Sequence, residues 1–190
     1  MKKLFSTISS GKFKGKKLLL PSLDTTRSTK SIVKGSFFDS IRYDLRNKIF
    51  IEAFGGSALM AAEALSNDAK SAIAIELDKN AFKIARENAK NIDESNLEIL
   101  NGDTFELTLE ILNRRDLKDV ILYLDPPFDI REGFGQIYEK CINLIRNLDK
   151  KRIYMVVIEH ISSYQFPEDI GKFTLQKSKK FGNTTLTYYS

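Results

Sequence analysis

The chain has 190 residues, a formal net charge of +5 and 42% hydrophobic residues. This length suits one α/β domain with a modest extension, and no apolar run approaches the roughly 20 residues that a membrane-spanning helix needs. Cys141 and His160 are the only cysteine and histidine, so we expect no internal disulfide and no metal site, and we predict a cytoplasmic protein.

The N-terminal quarter of the chain is strongly basic. Residues 1–48 contain twelve Lys or Arg residues and three acidic residues, so they carry +9 and the remaining residues carry −4. Two short strands are predicted within residues 4–20, around a turn at Ser9-Ser10-Gly11. The interleaved Lys, Gly and Phe residues suit an exposed hairpin that follows a phosphate backbone, although a solvated lysine-rich surface explains the charge equally well.

Strands and helices alternate after this segment. A helix is predicted from about Ser28, because Val33, Phe37, Ile41 and Leu45 fall on one face at four-residue spacing. Five strands follow, each connected to the next by a helical segment, at residues 48–54, 72–76, 97–100, 120–124 and 152–158. Residues 173–177 and 184–189 then form a β-hairpin across a Gly-Asn turn.

This order predicts an α/β fold. Strand–helix alternation closed by a hairpin gives a doubly wound, mostly parallel, seven-stranded sheet. We assign residues 1–47 to a basic N-terminal β-hairpin and helix that can contact a polyanion, and residues 48–190 to the main domain.

The strand at residues 120–124 ends in Asp125-Pro126-Pro127-Phe128. Its five residues are continuously apolar, as is typical of a strand covered on both faces, and the two prolines then end the sheet ladder. Asp125 and Phe128 are therefore expected on a stiff turn at the carboxyl end of a strand. In open α/β sheets this edge is where ligands bind.

These four residues suit methyl transfer to an exocyclic amino group of a nucleobase. The amino nitrogen is a poor nucleophile, and the Asp125 carboxylate and the Pro126 carbonyl can accept its hydrogens and align its lone pair. Phe128 offers a face on which an extruded base stacks, and Pro127 keeps the turn stiff. We predict Asp125, Pro126, Pro127 and Phe128 as the catalytic residues; the alternative is an ordinary turn after a strand.

The ends of the preceding three strands predict a site for an adenosine that carries a cationic sulfonium, as in S-adenosyl-L-methionine. Glycines after the first strand let a ligand approach the backbone beside helix N–H groups. Glu76 can accept from both ribose hydroxyls, and Asp103 can meet the adenine amino group; the alternative for Asp103 is a helix cap. The predicted cofactor-binding residues are Glu52, Phe54, Gly55, Gly56, Ser57, Glu76, Leu77, Asp103 and Thr104.

Asp125 to Phe128 resemble the (Asn/Asp)-Pro-Pro-aromatic motif of S-adenosylmethionine-dependent methyltransferases that modify base amino groups. The whole chain resembles the RsmD-like family, which methylates guanine N2 in small-subunit (16S) ribosomal RNA. That resemblance rests on the Gly-x-x-x-Gly-Lys of residues 11–16, on Arg27-Ser28-Thr29, and on Phe54 to Ala58 followed by Glu63 to Ser66. It implies a class I, Rossmann-like methyltransferase that is monomeric and acts on small-subunit ribosomal RNA or the assembling 30S particle. It also implies that residues 1–47 contact the RNA and that residues 48–190 form the catalytic domain.

The sequence departs from that family pattern at several positions. Ala58 replaces a glycine and is expected to add a methyl group where backbone and cofactor come close; Glu52, Ser28 and Gly35 are further substitutions. Two other functions stay open: a DNA adenine or cytosine amino-methyltransferase, and a non-catalytic RNA-binding protein of ribosome assembly. We expect Cys141 to be a core residue and His160 to be an ordinary loop histidine.

Overall fold

The computed structural model describes residues 4–21, 27–127 and 134–190. Its strands are β1 (Phe5–Thr7), β2 (Lys17–Leu19), β3 (Ile49–Glu52), β4 (Ser71–Glu76), β5 (Leu97–Asn101), β6 (Val120–Leu124), β7 (Ile153–Ile161), β8 (Asp169–Ile170), β9 (Phe173–Phe181) and β10 (Thr184–Tyr189). Its helices are α1 (Arg27–Ile41), α2 (Leu59–Ser66), α3 (Lys79–Ile92), α4 (Thr104–Arg114) and α5 (Phe134–Arg146). No helix within these ranges is long and apolar enough to cross a membrane.

The main sheet has the strand order β5-β4-β3-β6-β7-β10-β9-β8, and β1 pairs with β2 in a separate hairpin. β3 to β7 are parallel, and β10 is antiparallel to both of its neighbours. After β3 the chain adds β4 and β5 on one side of β3 and then β6 on its other side. The strand order therefore reverses between β3 and β6, and doubly wound sheets bind ligands at such a switch point.

The α/β fold with a mostly parallel sheet is confirmed, but the described residues form a sheet of eight strands where seven were predicted. The additional strand is β8, in which Asp169 and Ile170 pair antiparallel with Thr174 and Phe173. Two residues are too few for an alternating hydrophobic pattern to be visible in a sequence.

Helices cover both faces of the sheet. α1, α2 and α3 pack on one face over a core that includes Phe37, Phe50 and Tyr123. α4 and α5 pack on the other face, where Cys141 is fully buried, as predicted. Burial raises the pKa of the Cys141 thiol to about 12, so this residue is not an available nucleophile at neutral pH.

The prediction that His160 lies in a loop is wrong. β7 continues to Ile161, because β10 pairs with it along its whole carboxyl-terminal half, and His160 is 3% exposed. The His160 ring is hydrogen-bonded to Thr187 Oγ1 at 2.8 Å, and burial lowers the pKa of His160. His160 is therefore a partnered core residue.

The β1–β2 hairpin docks on α2. Ile8 and Leu18 belong to the same core as α1 to α3. The Glu63 carboxylate accepts a hydrogen bond from Ser9 N at 2.7 Å, and Ser66 O accepts one from Lys12 N at 2.8 Å. A side chain at Gly11, where φ is +78°, would place its Cβ 1.7 Å from Ser66 O, so only glycine fits against this helix end.

Candidate active site

A cavity of about 200 Å³ lies at the carboxyl ends of β3, β6 and β7, on the face that carries α1 to α3. Three parts of the chain form its wall. They are the strand-end residues Glu52, Tyr123, Asp125 and Glu159, the turn and helix start at Phe54, Gly55, Gly56, Ser57, Leu59 and Met60, and the N-terminal residues Ser6, Leu20, Pro21, Ser31 and Lys34. The N-terminal extension is thus part of the wall of the same cavity as Asp125.

The two glycines of the turn after β3 are needed for different structural reasons. Gly55 N donates to Ile75 O at 2.7 Å, and a Cβ on Gly55 would lie 3.0 Å from that oxygen. Gly55 therefore lets the turn pass close to β4. Gly56 has φ +50°, and open space surrounds the position where its Cβ would be, so it leaves the backbone accessible from the cavity.

Ala58 takes the left-handed conformation, with φ 60° and ψ 32°, immediately before α2. Such a conformation costs an alanine about 1 kcal/mol and a glycine almost nothing. Ala58 is fully buried in the core below α1 to α3 and is absent from the cavity wall formed by the described residues. The substitution of glycine by alanine therefore strains the backbone but places no methyl group in the cavity.

Glu52 is a buried carboxyl group at the switch point. Burial raises the pKa of Glu52 from 4.5 to about 8; backbone N–H groups of Ala61 and Met60 oppose this, and the nearby Asp125 and Glu76 add to it. The Ala61 N–H donates to Glu52 Oε2 at 2.9 Å. At neutral pH the carboxyl group is thus mostly protonated, and a cation bound beside it would favour ionisation.

Glu76 connects the glycine turn to the start of α3. Its Oε2 accepts a hydrogen bond from Gly56 N at 2.6 Å, and its Oε1 accepts one from Asp78 N at 2.7 Å. Asp78 in turn caps α3, as predicted, by accepting from the N–H groups of residues 80 and 81. Glu76, the residue predicted to accept from the ribose hydroxyls, is therefore held next to the turn that lines the cavity.

Asp103 and Thr104 lie on the same sheet edge, at the start of α4. Asp103 Oδ1 accepts from Phe105 N at 2.8 Å and from Glu106 N at 3.2 Å, so this residue caps the helix, which was the alternative left open. The Thr104 hydroxyl donates to Ala53 O and is buried, whereas Leu77 is 66% exposed. In the described part of the chain these residues and Glu76 stand beyond the cavity wall, on the β4 and β5 side.

The structure describes three of the four predicted catalytic residues. Asp125 lines the cavity and is half-buried, Pro126 is buried and Pro127 is exposed. Phe128 lies outside the described residues. The structure therefore brings Asp125 together with Glu52 and the glycine turn, and it carries no test of the stacking role of Phe128.

Sequence reasoning missed several polar residues of the cavity wall, among them Tyr123, Glu159 and Lys34. Tyr123 lies inside an apolar strand and was assigned to the core, but its hydroxyl donates to Glu159 Oε2. Lys34 is 6% exposed and donates to Thr7 O at 3.0 Å and to the Glu63 carboxylate. The one signal for Lys34 is Glu63, a lone acid in the otherwise apolar segment Leu59–Leu65 of α2, because a buried acid requires a partner.

Asn88 joins the N-terminal hairpin to the turn that lines the cavity. It is 1% exposed, and its side-chain amide accepts from Leu19 N at 2.8 Å and donates to Leu19 O at 3.0 Å. The same amide donates to Ser57 O at 2.8 Å. One buried side chain thus connects the hairpin to the glycine turn through hydrogen bonds.

The residues around the turn fit S-adenosyl-L-methionine. Open space adjoins Gly56, a carboxylate that can accept from ribose hydroxyls adjoins the turn, and Glu52 and Asp125 supply acidic groups for a cationic ligand. The described residues hold no group of three or more His, Cys, Asp or Glu side chains placed to bind a metal ion.

The chain is similar to known proteins over nearly its whole length. The model of the family Conserved hypothetical protein 95 matches residues 6–190. Ribosomal RNA small subunit methyltransferase D of Buchnera aphidicola subsp. Acyrthosiphon pisum is 26% identical over 175 residues, which is 90% of this chain and 86% of that protein.

Two solved structures share the fold. An Escherichia coli protein, yhhF, proposed to be a methyltransferase, has a TM-score of 0.78 at 22% identity, over 98% of this chain and 97% of that one. An RNA methyltransferase from Salinibacter ruber, in complex with S-adenosyl-L-homocysteine, has a TM-score of 0.55 at 17% identity, over 83% of this chain and 88% of that one. The predicted class I methyltransferase fold is confirmed.

Proposed function

This chain belongs to the family Conserved hypothetical protein 95, and on that premise we propose that it transfers a methyl group from S-adenosyl-L-methionine to the exocyclic N2 of a guanine in small-subunit ribosomal RNA. One observation carries the proposal: Asp125 of the Asp-Pro-Pro motif lines the same cavity as Gly55 and Gly56 of the turn after β3. The name of the Buchnera relative supports ribosomal RNA as the substrate class.

The cofactor would be held along the carboxyl ends of β3, β4 and β5. Glu76 would accept from the ribose hydroxyls, Asp103 would face the adenine amino group, and the Gly56 backbone would lie against the ligand. Glu52 would ionise beside the positive charge. Phe54, Gly55, Ser57, Leu77 and Thr104 complete the proposed cofactor-binding set. When bound, the cofactor supplies an electrophilic methyl group on a sulfonium.

Asp125 and Pro126 would position the nucleophile. The carboxylate and the Pro126 carbonyl accept the two hydrogens of the N2 amine and direct its lone pair at the methyl carbon. Both groups would keep the nitrogen in this orientation, and the methylated nitrogen would lose one of its hydrogens to water as a proton. Phe128 would stack on the flipped-out base.

The N-terminal hairpin would supply the RNA contact. Lys12, Lys14, Lys16 and Lys17 are exposed on it, and the amines of Lys12 and Lys16 lie 4.7 and 4.9 Å from the centre of the Phe13 ring. Such a surface attracts the phosphate backbone without reading its sequence. We extend the proposal to residues 1–47 as the RNA-contacting part, and to a monomer that acts in the cytoplasm on ribosomal RNA or the assembling 30S particle.

The buried position of Ala58 supports a turn that still accepts the cofactor, against a purely non-catalytic role. The test is transfer of labelled methyl from S-adenosyl-L-methionine to unmodified small-subunit particles, free ribosomal RNA and duplex DNA, followed by digestion to nucleosides. We expect N2-methylguanosine with the wild-type protein and none with Asp125→Ala. Asp116→Ala, an exposed aspartate before the same strand, is the matched control and keeps its activity. Label in DNA, or no label anywhere, would refute the proposal.

A further inference from the structure

Glu159 stands level with Asp125 on the neighbouring strand. β6 and β7 pair in parallel with Tyr123 opposite Val157 and Leu124 opposite Ile158, where β6 ends. Continuing this register by one residue sets Asp125 opposite Glu159. Neighbouring strands lie about 4.8 Å apart, and side chains at the same level point to the same face. Both residues line the cavity. Two carboxylates therefore stand side by side where the target amine is proposed to bind.

Tyr123 holds the Glu159 carboxylate in place. Its hydroxyl donates to Glu159 Oε2, and its ring is 1% exposed and packs 4.9 Å from the ring of Phe37 and 6.1 Å from that of Phe50. A donor fixed in this way orients the acceptor. A carboxylate has about four acceptor positions, so the phenol and a donor of a bound base can share it.

The hydrogen-bonding edges of the bases differ at the ring nitrogen next to the amine. In guanine that nitrogen, N1, carries a hydrogen, and N1–H and the N2 amine form a row of donors. In adenine and cytosine the corresponding ring nitrogen is an acceptor. One acceptor group such as Asp125 thus binds any amine, whereas a second acceptor beside it fits guanine alone, because an adenine N1 lone pair would face a carboxylate.

We propose that Glu159 is the residue that selects guanine, by accepting the N1–H hydrogen bond while Asp125 accepts from the N2 amine. This inference rests on the proposed function and adds the basis of its base specificity. Glu159 is 6% exposed, so the contact is shielded from water. Sites built to hydrogen-bond a substrate group can reject an analogue without it by about 10⁴-fold, because the polar group of the site loses its partner.

The test uses 2-aminopurine, which keeps the N2 amine but has an unprotonated N1. The RNA segment around the modified guanine, located by the labelling experiment, is prepared with guanine or 2-aminopurine at the target position. The ratio of kcat/KM for the two RNAs is measured, together with their relative affinities by competition and the fluorescence of the flipped 2-aminopurine. We expect the wild-type protein to prefer guanine by at least about 100-fold.

Glu159→Gln should lower this preference at least tenfold in both kcat/KM and affinity, since its amide can donate to the N1 of 2-aminopurine. Tyr123→Phe keeps the carboxylate but removes its fixed donor, and it should lower the preference by a smaller factor. Glu168→Gln, at an exposed glutamate after β7, is the matched control and leaves the ratio unchanged. Thermal unfolding of each variant shows that it is folded, and Tyr123→Phe decides the question if Glu159→Gln does not fold.

Equal losses on both RNAs, with an unchanged ratio, would refute the role of Glu159 while leaving the proposed function intact. A wild-type protein that transfers no methyl group to guanine would instead refute the proposed function itself. The two failures are therefore distinguishable.

Discussion

Replacing Glu52 with glutamine should remove a large part of the pH dependence of stability. Burial raises the pKa of Glu52 from 4.5 to about 8 in the folded protein. As the pH rises from 4.5, the unfolded chain loses this proton while the folded protein keeps it. The contribution of Glu52 to the unfolding free energy is therefore complete below pH 4.5. Between pH 4.5 and the folded-state pKa it falls by about 1.4 kcal/mol per pH unit.

The size of the effect follows from these two pKa values. Between pH 5 and pH 9 the wild-type protein should lose about 4 kcal/mol of unfolding free energy through Glu52 alone. Glu52→Gln has a neutral side chain of the same shape, and its carbonyl can still accept from Ala61 N–H. The two proteins should differ little in pH dependence below pH 5, and the variant should become the more stable by about 4 kcal/mol towards pH 9.

The assay is urea unfolding followed by circular dichroism at half-unit steps from pH 5 to pH 9. The difference between wild type and variant cancels the titration of groups that do not interact with Glu52. Glu106→Gln, at an exposed glutamate in the first turn of α4, is the control for a change of surface charge. Parallel curves for wild type and Glu52→Gln, within about 1 kcal/mol over the whole range, would refute the assignment of a protonated buried carboxyl group.

Three further experiments, with five substitutions, test the site and the residues that support it. Ala58→Gly should change the Kd of S-adenosyl-L-methionine, measured by calorimetry, less than about threefold, because the Ala58 methyl group lies in the core. A tenfold tighter complex would show instead that this side chain contacts the cofactor. Gly55→Ala should cost about 1–3 kcal/mol of unfolding free energy and weaken the cofactor at least tenfold, since its Cβ meets the β4 backbone. Gly35→Ala, in open helical space, should instead stabilise by up to about 1 kcal/mol, and equal effects of the two substitutions would contradict the packing argument. Lys34→Met should lower the unfolding free energy, measured with urea, by about 3–5 kcal/mol, because the Glu63 carboxylate stays buried without its cation. Adding Glu63→Met should recover most of that loss. A double variant as unstable as the single variant would contradict this explanation.

Local patterns in the chain were enough to predict most of the fold. β6 was predicted from five apolar residues ended by two prolines, and all five are buried. α3 was predicted from its cap at Asp78 and its alanine face, of which Ala81, Ala85 and Ala89 are buried. The two errors, β8 and the placement of His160, concern residues whose structure depends on a partner strand and not on their neighbours in sequence.

The sequence by itself determined which residues stand at the strand ends, because a strand end is marked locally by a glycine, a proline or an acid. Since the carboxyl ends of parallel strands share one edge, Glu52, Gly56 and Asp125 could be predicted to meet. Only the tertiary structure decided which other groups join them. Lys34 comes from a helix packed across the sheet, and Glu159 reaches the level of Asp125 through the register of β6 and β7. Register and docking arise from contacts between distant parts of the chain, which leave no periodic trace in either part alone.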